Sequence, residues 1–113
     1  KQVHHIFPVN FLKKKFGNRA GYKKKIEPYI NSVSNISLIS RVTNRDIWDK
    51  RPSVYFKEFE RDNEKIEKAL TSHLIGDLDS FGIRKNNFVK FIDKRSKKIA
   101  EEINIFIKEL RED

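Results

Sequence analysis

The sequence predicts an α+β fold that is mainly α-helical, with two short strands ahead of a helical second half. The stretches at 2–7 and 36–40 are rich in β-branched and other apolar residues, as short strands are. From Pro52 onward, apolar residues recur at helical spacing. The 113 residues, with nine Phe, three Tyr and one Trp, are enough for one domain with a single core.

The first half of the chain is predicted as a strand, a short helix, a loop and a second strand. "QVHHIF" precedes Pro8, and "NFLKKKF", from Asn10 to Phe16, has an Asn cap and apolar residues at helical positions. "GNRAGYKKK" contains two of the four glycines and is predicted as a mobile loop. After the second strand, Thr43 or Asn44 would cap a further helix.

The second half is predicted as two longer helices joined by a turn region. The first runs from Pro52 to Ile75 with a polar interruption near Asn63, and "GDLDSFGIRKNN" is the turn region. The second is a long amphipathic helix. Its apolar face carries Phe88, Phe91, Ile92, Arg95, Ile99, Ile103, Phe106, Ile107 and Leu110.

The charge is strongly positive and is concentrated early in the chain. Lys and Arg number 25 against 16 Asp and Glu, which gives a formal net charge of +9. The segment "FLKKKFGNRAGYKKK" contains no acidic residue. Such a patch attracts a polyanion, above all nucleic acid, by releasing counterions. A solvated basic loop without a partner is the alternative.

The composition of the chain excludes several classes of protein. Without cysteine there is neither a disulfide framework nor a thiolate zinc site, which is typical of cytoplasmic proteins. No apolar run reaches the roughly 18 residues that a membrane span needs. No apolar segment typical of a signal peptide follows the first residue. Because the chain starts at Lys1 and lacks Met, it is interpreted as a fragment of a larger protein, with further function expected upstream.

Four polar residues interrupt the apolar pattern around the two strands. His4 and His5 lie on the first predicted strand, Asn35 lies at the start of the second, and Asn44 lies at the N-terminal end of the next predicted helix. Each of the four also has a purely structural interpretation. His4 and His5 could be ordinary strand residues, one of them buried, Asn35 could be a turn residue, and Asn44 could cap a helix. His73, in "SHLI", is expected to be a packing or capping residue.

In order, "HHIFP", "SVSNISLIS" and "TNRDIWDKRPSVYF" resemble an HNH (His-Me finger) endonuclease, whose ββα-metal core would span 1–56. The chain is most similar to the C-terminal nuclease domain of GmrSD-type modification-dependent restriction and anti-phage proteins. "SHLI" and "FIDKRSKKIAEEI" resemble that family's helical tail, with its F-x-x-x-R helix, so 57–113 would be a helical extension of one nuclease domain. The resemblance covers nearly the whole chain.

The resemblance implies a role for each of the four polar residues. His5 would be the general base and His4 a metal ligand. Asn35 would fix the base and the two strands by hydrogen bonding to backbone, and Asn44 would be the second metal ligand. An amide oxygen suits Mg²⁺ or Mn²⁺, whereas an imidazole favours Mn²⁺, Ni²⁺ or Zn²⁺. The expected ion is Mg²⁺ or Mn²⁺, with Ni²⁺ or Zn²⁺ as alternatives. Neutral imidazole, with a pKa near ~6.5, can accept the proton of a water.

The implied substrate is DNA, most simply a duplex, in a restriction or antiviral protein whose upstream part is a ParB-like nucleotide-hydrolysing domain. Homo-oligomers are left open, and no membrane partner is expected. Two alternatives stay open: an inactive nucleic-acid-binding or scaffolding domain of the same fold, and a nuclease acting on RNA. The basic residues expected to contact phosphates are Lys13, Lys14, Lys15, Lys23, Lys24, Lys25, Arg41, Arg45, Lys50 and Arg51.

Overall fold

The computed structural model describes residues 2–39, 47, 50–62 and 64–112. Two strands, β1 (Gln2–His5) and β2 (Ile36–Ile39), form an antiparallel ladder. The α-helices whose bounds lie within the described residues are, in chain order, α1 (Val9–Phe16), α2 (Pro52–Asp62), α3 (Ile66–Ser72) and α4 (Phe88–Glu112). The architecture is therefore α+β and mainly helical, as predicted.

The segment between α1 and β2, of which residues 17–25 are predicted as a mobile loop, contains three short helical turns. They are the π-helical turn Tyr22–Ile26 and the 3₁₀ turns Glu27–Tyr29 and Val33–Asn35. Tyr22, Ile26 and Ile30 are buried, whereas the three lysines between Tyr22 and Ile26 are exposed. The loop prediction is therefore wrong for residues 22–25, which lie in the π-helical turn.

Helix α1 begins one residue earlier than predicted. Pro8 occupies the position before the first helical residue with φ near −59°, a value that its ring favours. Asn10 lies inside the helix and is exposed, so it does not cap the helix. Phe11 and Leu12 are the buried residues of this helix.

The second half of the chain does not form the predicted pair of long helices. The predicted first helix is divided into α2 and α3, and a turn at Glu64 and Lys65 precedes α3. At the start of α2, Asn86 accepts a hydrogen bond from the Ser53 amide (2.9 Å) and donates one to the Ser53 hydroxyl (2.9 Å). The turn region after α3 therefore holds the beginning of α2 in place.

One hydrophobic core connects the strand end, α1, α2 and the first half of α4. Phe7 packs against Phe88 and Phe91, with ring centroids 5.4 and 5.0 Å apart, and Tyr55 packs against Phe56. The second half of α4 leaves this core, and the apolar side chains there are exposed: Ile103, Phe106, Ile107 and Leu110. The predicted apolar face of α4 is thus buried only near its N-terminal end.

None of the helices in the described part of the chain is long and apolar enough to cross a membrane.

Candidate functional site

The two neighbouring histidines lie at the end of the β1–β2 ladder. His4 pairs with Ser37 and His5 with Ile36. Because adjacent residues of a strand point to opposite faces, His4 and His5 start on different sides of the ladder. His4 is buried, whereas His5 is half-buried. A site that uses both histidines would lie where β1 ends and the chain bends at Ile6.

Asn35 is fully buried and fastens the turn that follows His5. Its Oδ1 accepts a hydrogen bond from the Phe7 amide (2.8 Å), and its Nδ2 donates to the carbonyls of Phe7 (3.2 Å) and Ile30 (2.9 Å). Its own carbonyl accepts from the Ile6 amide (2.8 Å). One side chain therefore connects the end of β1 to the residues before β2.

His5 contacts an asparagine that the sequence did not single out. Its Nε2 lies 2.8 Å from Oδ1 of Asn31, a residue 26 positions away. Asn31 is exposed and sits between the 3₁₀ turns Glu27–Tyr29 and Val33–Asn35. No spacing rule connects two residues so far apart, so only the folded chain identifies this pair.

His4 packs against the buried side chain of Tyr55 from helix α2. The two rings meet edge to face, with centroids 6.1 Å apart. The Tyr55 hydroxyl donates a hydrogen bond to the carbonyl of Ile6, and burial raises the pKa of Tyr55 well above its usual value. Tyr55 therefore stays neutral and holds α2 against the end of β1.

His73 and Arg95 support β2 from the helical side. The Ser37 hydroxyl and Nδ1 of His73 are 2.6 Å apart, and Arg95 donates to the His73 carbonyl through Nε (3.3 Å) and Nη2 (3.1 Å). Nη1 of Arg95 donates to the carbonyls of Val33 (3.0 Å) and Ile36 (2.8 Å). His73 thus has a structural role at the C-terminal end of α3, where it occupies the capping position, as expected of a packing or capping residue.

Arg95 is a buried cation whose pKa is lowered by desolvation. Phe91, one helical turn earlier, is also buried, so both residues of the F-x-x-x-R pattern face the interior. The sequence pattern identified these residues as part of the helical tail. It did not indicate that the arginine holds the start of β2.

Among the predicted phosphate-contacting residues, Lys15 lies in a cluster of cations. Its Nζ is 5.3 Å from the ring centroid of Phe16, and Arg19 lies over the same ring at 5.2 Å. Burial and the charges of Arg19 and Arg51 lower the pKa of Lys15. None of the acidic side chains that the structure describes forms an ion pair with these three cations, which makes the cluster suited to an anion.

The other predicted cations differ in their surroundings. Lys50 pairs with Glu58 (3.2 Å), so its charge is partly compensated. Exposed lysines lie on α1 and on the π-helical turn: Lys13, Lys14, Lys23, Lys24 and Lys25. Three predicted residues lie outside the described part of the chain, namely Arg41, Asn44 and Arg45.

The donor chemistry of the predicted ligands fits a weakly held divalent ion. Within the described residues, no group of three or more His, Asp or Glu side chains is placed to hold a metal. The predicted site needs only two protein ligands, the imidazole of His4 and the amide of Asn44. A buried imidazole near the bend at Ile6 is a suitable nitrogen donor, and an amide oxygen suits hard cations.

Comparison with known proteins gives one family and one curated relative. The family model of the C-terminal domain of GmrSD restriction endonucleases matches residues 1–102. The uncharacterized protein MJ0686 of Methanocaldococcus jannaschii is 32% identical in an alignment 123 positions long that covers 88% of this chain and 20% of that protein. The chain thus spans about a fifth of the length of this relative. No solved structure matches the chain.

Proposed function

Since the chain belongs to the family of GmrSD restriction endonuclease C-terminal domains, we propose that it is a metal-dependent endonuclease domain that hydrolyses DNA. Family membership alone indicates a restriction-type endonuclease domain. One observation supports the proposal of metal-dependent DNA hydrolysis: the fully buried Asn35 holds the turn after His5 in place by hydrogen bonds. A residue that accepts a proton must be held in place, and this turn holds it.

In the proposed reaction, the imidazole of His5 accepts a proton from water. The water oxygen forms a bond to phosphorus while the bond from phosphorus to the leaving oxygen breaks, and that oxygen takes a proton from solvent. His5 is suited to this step because it is half-buried and lies at the end of β1, where substrate can approach. His4 and Asn44 would hold the divalent ion, which when bound supplies charge stabilisation to the phosphate.

The phosphate backbone of the substrate would lie along the basic surface formed by α1 and the π-helical turn. Lys15, Arg19 and Arg51 form a cluster without an acidic partner among the described residues, and such a cluster gains most from a phosphate. Arg19 was not among the predicted contacts, although it stands in the same acid-free segment. We propose a duplex as substrate, as the resemblance implies.

For the longer protein, we propose the organisation that the resemblance implies. The domain would act in the cytoplasm beside an upstream ParB-like nucleotide-hydrolysing domain in restriction or antiviral defence. A ββα-metal core, completed by Asn44, would form the catalytic part of the chain.

The test is a plasmid-nicking assay with wild type and His5→Ala, in EDTA and then with Mg²⁺, Mn²⁺ or Ni²⁺. We expect nicking by wild type with metal, none in EDTA, and none by a folded His5→Ala protein. Equal nicking by both proteins would remove His5 from the reaction. A folded wild type that binds duplex but never nicks would instead favour the alternative, an inactive nucleic-acid-binding domain.

A further inference from the structure

The contact between Asn31 and His5 determines which imidazole nitrogen carries the proton. An amide oxygen can only accept hydrogen bonds, so Nε2 of His5, 2.8 Å from Oδ1 of Asn31, must be the donor. In a neutral imidazole the other nitrogen then has the lone pair. Asn31 therefore leaves Nδ1 of His5 as the nitrogen that can accept a proton.

The position of Asn31 is fixed by its neighbours on both sides. The carbonyl of Ile30 accepts a hydrogen bond from Asn35 (2.9 Å), and the carbonyl of Val33 accepts one from Arg95 (3.0 Å). The Ile30 side chain is buried. The acceptor oxygen is thus carried by a segment anchored to the core, although the Asn31 side chain itself is exposed.

His5 and Asn31 are connected through the same buried residue. Asn35 bonds to Phe7, two residues after His5, and to Ile30, the residue before Asn31. This arrangement sets the distance between β1 and the segment before β2. A hydrogen bond between two anchored segments orients a ring better than a bond to a freely moving side chain does.

We propose that Asn31 is a positioning residue for the hydrolysis proposed above: its Oδ1 holds Nε2–H of His5 and directs Nδ1 toward the attacking water. The inference rests on the proposed function. It adds the identity of the accepting nitrogen and a residue that neither the sequence pattern nor the family match identifies.

The experiment compares wild type with Asn31→Leu, which has similar size but no acceptor, and Asn31→Asp, which retains an acceptor oxygen. Asn104→Leu, at an exposed asparagine on α4, is the matched control. Because Asn31 and Asn104 are both exposed, all variants should unfold at the same urea concentration as wild type. Two properties are measured: kcat and KM for plasmid nicking, and the ¹⁵N chemical shifts of the His5 imidazole without substrate.

We expect Asn31→Leu to lower kcat about 10- to 100-fold with little change in KM, as loss of an orienting partner does at other histidines. Asn31→Asp should recover most of kcat, and Asn104→Leu should match wild type. The nitrogen shifts should show the Nε2–H form in wild type and a larger Nδ1–H fraction in Asn31→Leu.

Unchanged nitrogen shifts in Asn31→Leu would overturn the proposal, and so would a kcat loss that Asn31→Asp does not restore. The shifts are recorded without turnover, so they test Asn31 even if wild type cleaves no DNA. In that case the proposed function fails, but the nitrogen shifts still show whether Asn31 determines the tautomer of the His5 imidazole.

Discussion

Nη1 of Arg95 lies 2.8 Å from the carbonyl oxygen of Ile36, the residue opposite His5 in the β1–β2 ladder. A helix of the C-terminal half thereby supports the strand next to the candidate site. The same guanidinium also donates to the carbonyls of Val33 and His73, so two separate backbone segments, 33–36 and the end of α3, meet on one side chain. The helical tail is therefore part of the framework that holds the site.

Replacing Arg95 by Met should destabilise the domain by about 3 kcal/mol, because several carbonyls lose their donor in a buried place. Urea denaturation measures this change. Arg111→Met, at an exposed position near the end of the same helix, is the control and should change the unfolding free energy by less than about 0.5 kcal/mol. Equal midpoints for the two variants would show that Arg95 does not hold β2.

Asn35→Ala should lower the free energy of unfolding by about 2–4 kcal/mol, since it removes three hydrogen bonds and leaves a cavity. The nicking rate should fall as well, at a temperature where the variant is still folded, because Asn35 connects the segments of His5 and Asn31. Asn18→Ala is the control for both measurements. A variant as stable as wild type would contradict the role of Asn35 in the turn.

Much of the framework could be predicted from sequence because its signals are local. β-branched and aromatic residues mark β1 and β2, and helical spacing marks α4, so both strands and the longest helix lie close to their predicted places. The role of Asn35 came instead from the resemblance to HNH endonucleases, which implied that this side chain would fix His5 and the two strands by hydrogen bonding to backbone.

The remaining features of the fold and of the candidate site depend on contacts between separate segments of the chain, which no local pattern encodes. Tyr22, Ile26 and Ile30 are separated by lysines and by Pro28, and their burial becomes evident only with α1 and α4 packed against this segment. Asn31 meets His5 across 26 residues. The exposed end of α4 has the same apolar period as its buried start, so the sequence could not show where burial stops.

The buried hydroxyl of Tyr55 predicts a loss of stability in alkali. Burial raises the pKa of Tyr55 in the folded state above the unfolded value of about 10. The contribution of the protonated Tyr55 hydroxyl to the free energy of unfolding is therefore complete below pH about 10. It is lost as the pH rises from there toward the folded-state pKa. Unfolding free energies from urea titrations over this range should fall more steeply for wild type than for Tyr55→Phe.

At neutral pH, Tyr55→Phe should cost about 1 kcal/mol, since the carbonyl of Ile6 loses its donor. Tyr29→Phe, at an exposed tyrosine, is the control and should leave the pH dependence of wild type intact. Parallel curves for wild type and Tyr55→Phe would mean that Tyr55 ionises equally easily in both states.

The cation cluster of Lys15, Arg19 and Arg51 predicts opposite effects on binding and on stability. Lys15→Gln should weaken binding to a DNA duplex about threefold or more at low salt, because a phosphate loses one of its cations. The same change should leave stability unchanged or slightly higher, because it removes repulsion from Arg19 and Arg51. Fluorescence anisotropy and urea denaturation measure the two effects, with Lys90→Gln as the exposed control. Unchanged affinity would exclude the cluster from the DNA interface.

The lysines of the π-helical turn predict how binding responds to salt. Replacing Lys23, Lys24 and Lys25 together by Gln should reduce the slope of log K against log salt by about 2–3, because each phosphate contact contributes about 0.9 to that slope. The control removes the same charge from α4, at Lys97, Lys98 and Lys108, and should change the slope by less. Binding isotherms at several salt concentrations, on duplexes of unrelated sequence, provide the slopes. Affinity should fall alike on every duplex, since phosphate contacts carry no base information. Equal slopes for the two triple variants would mean that the π-helical turn contributes only general positive charge to DNA binding.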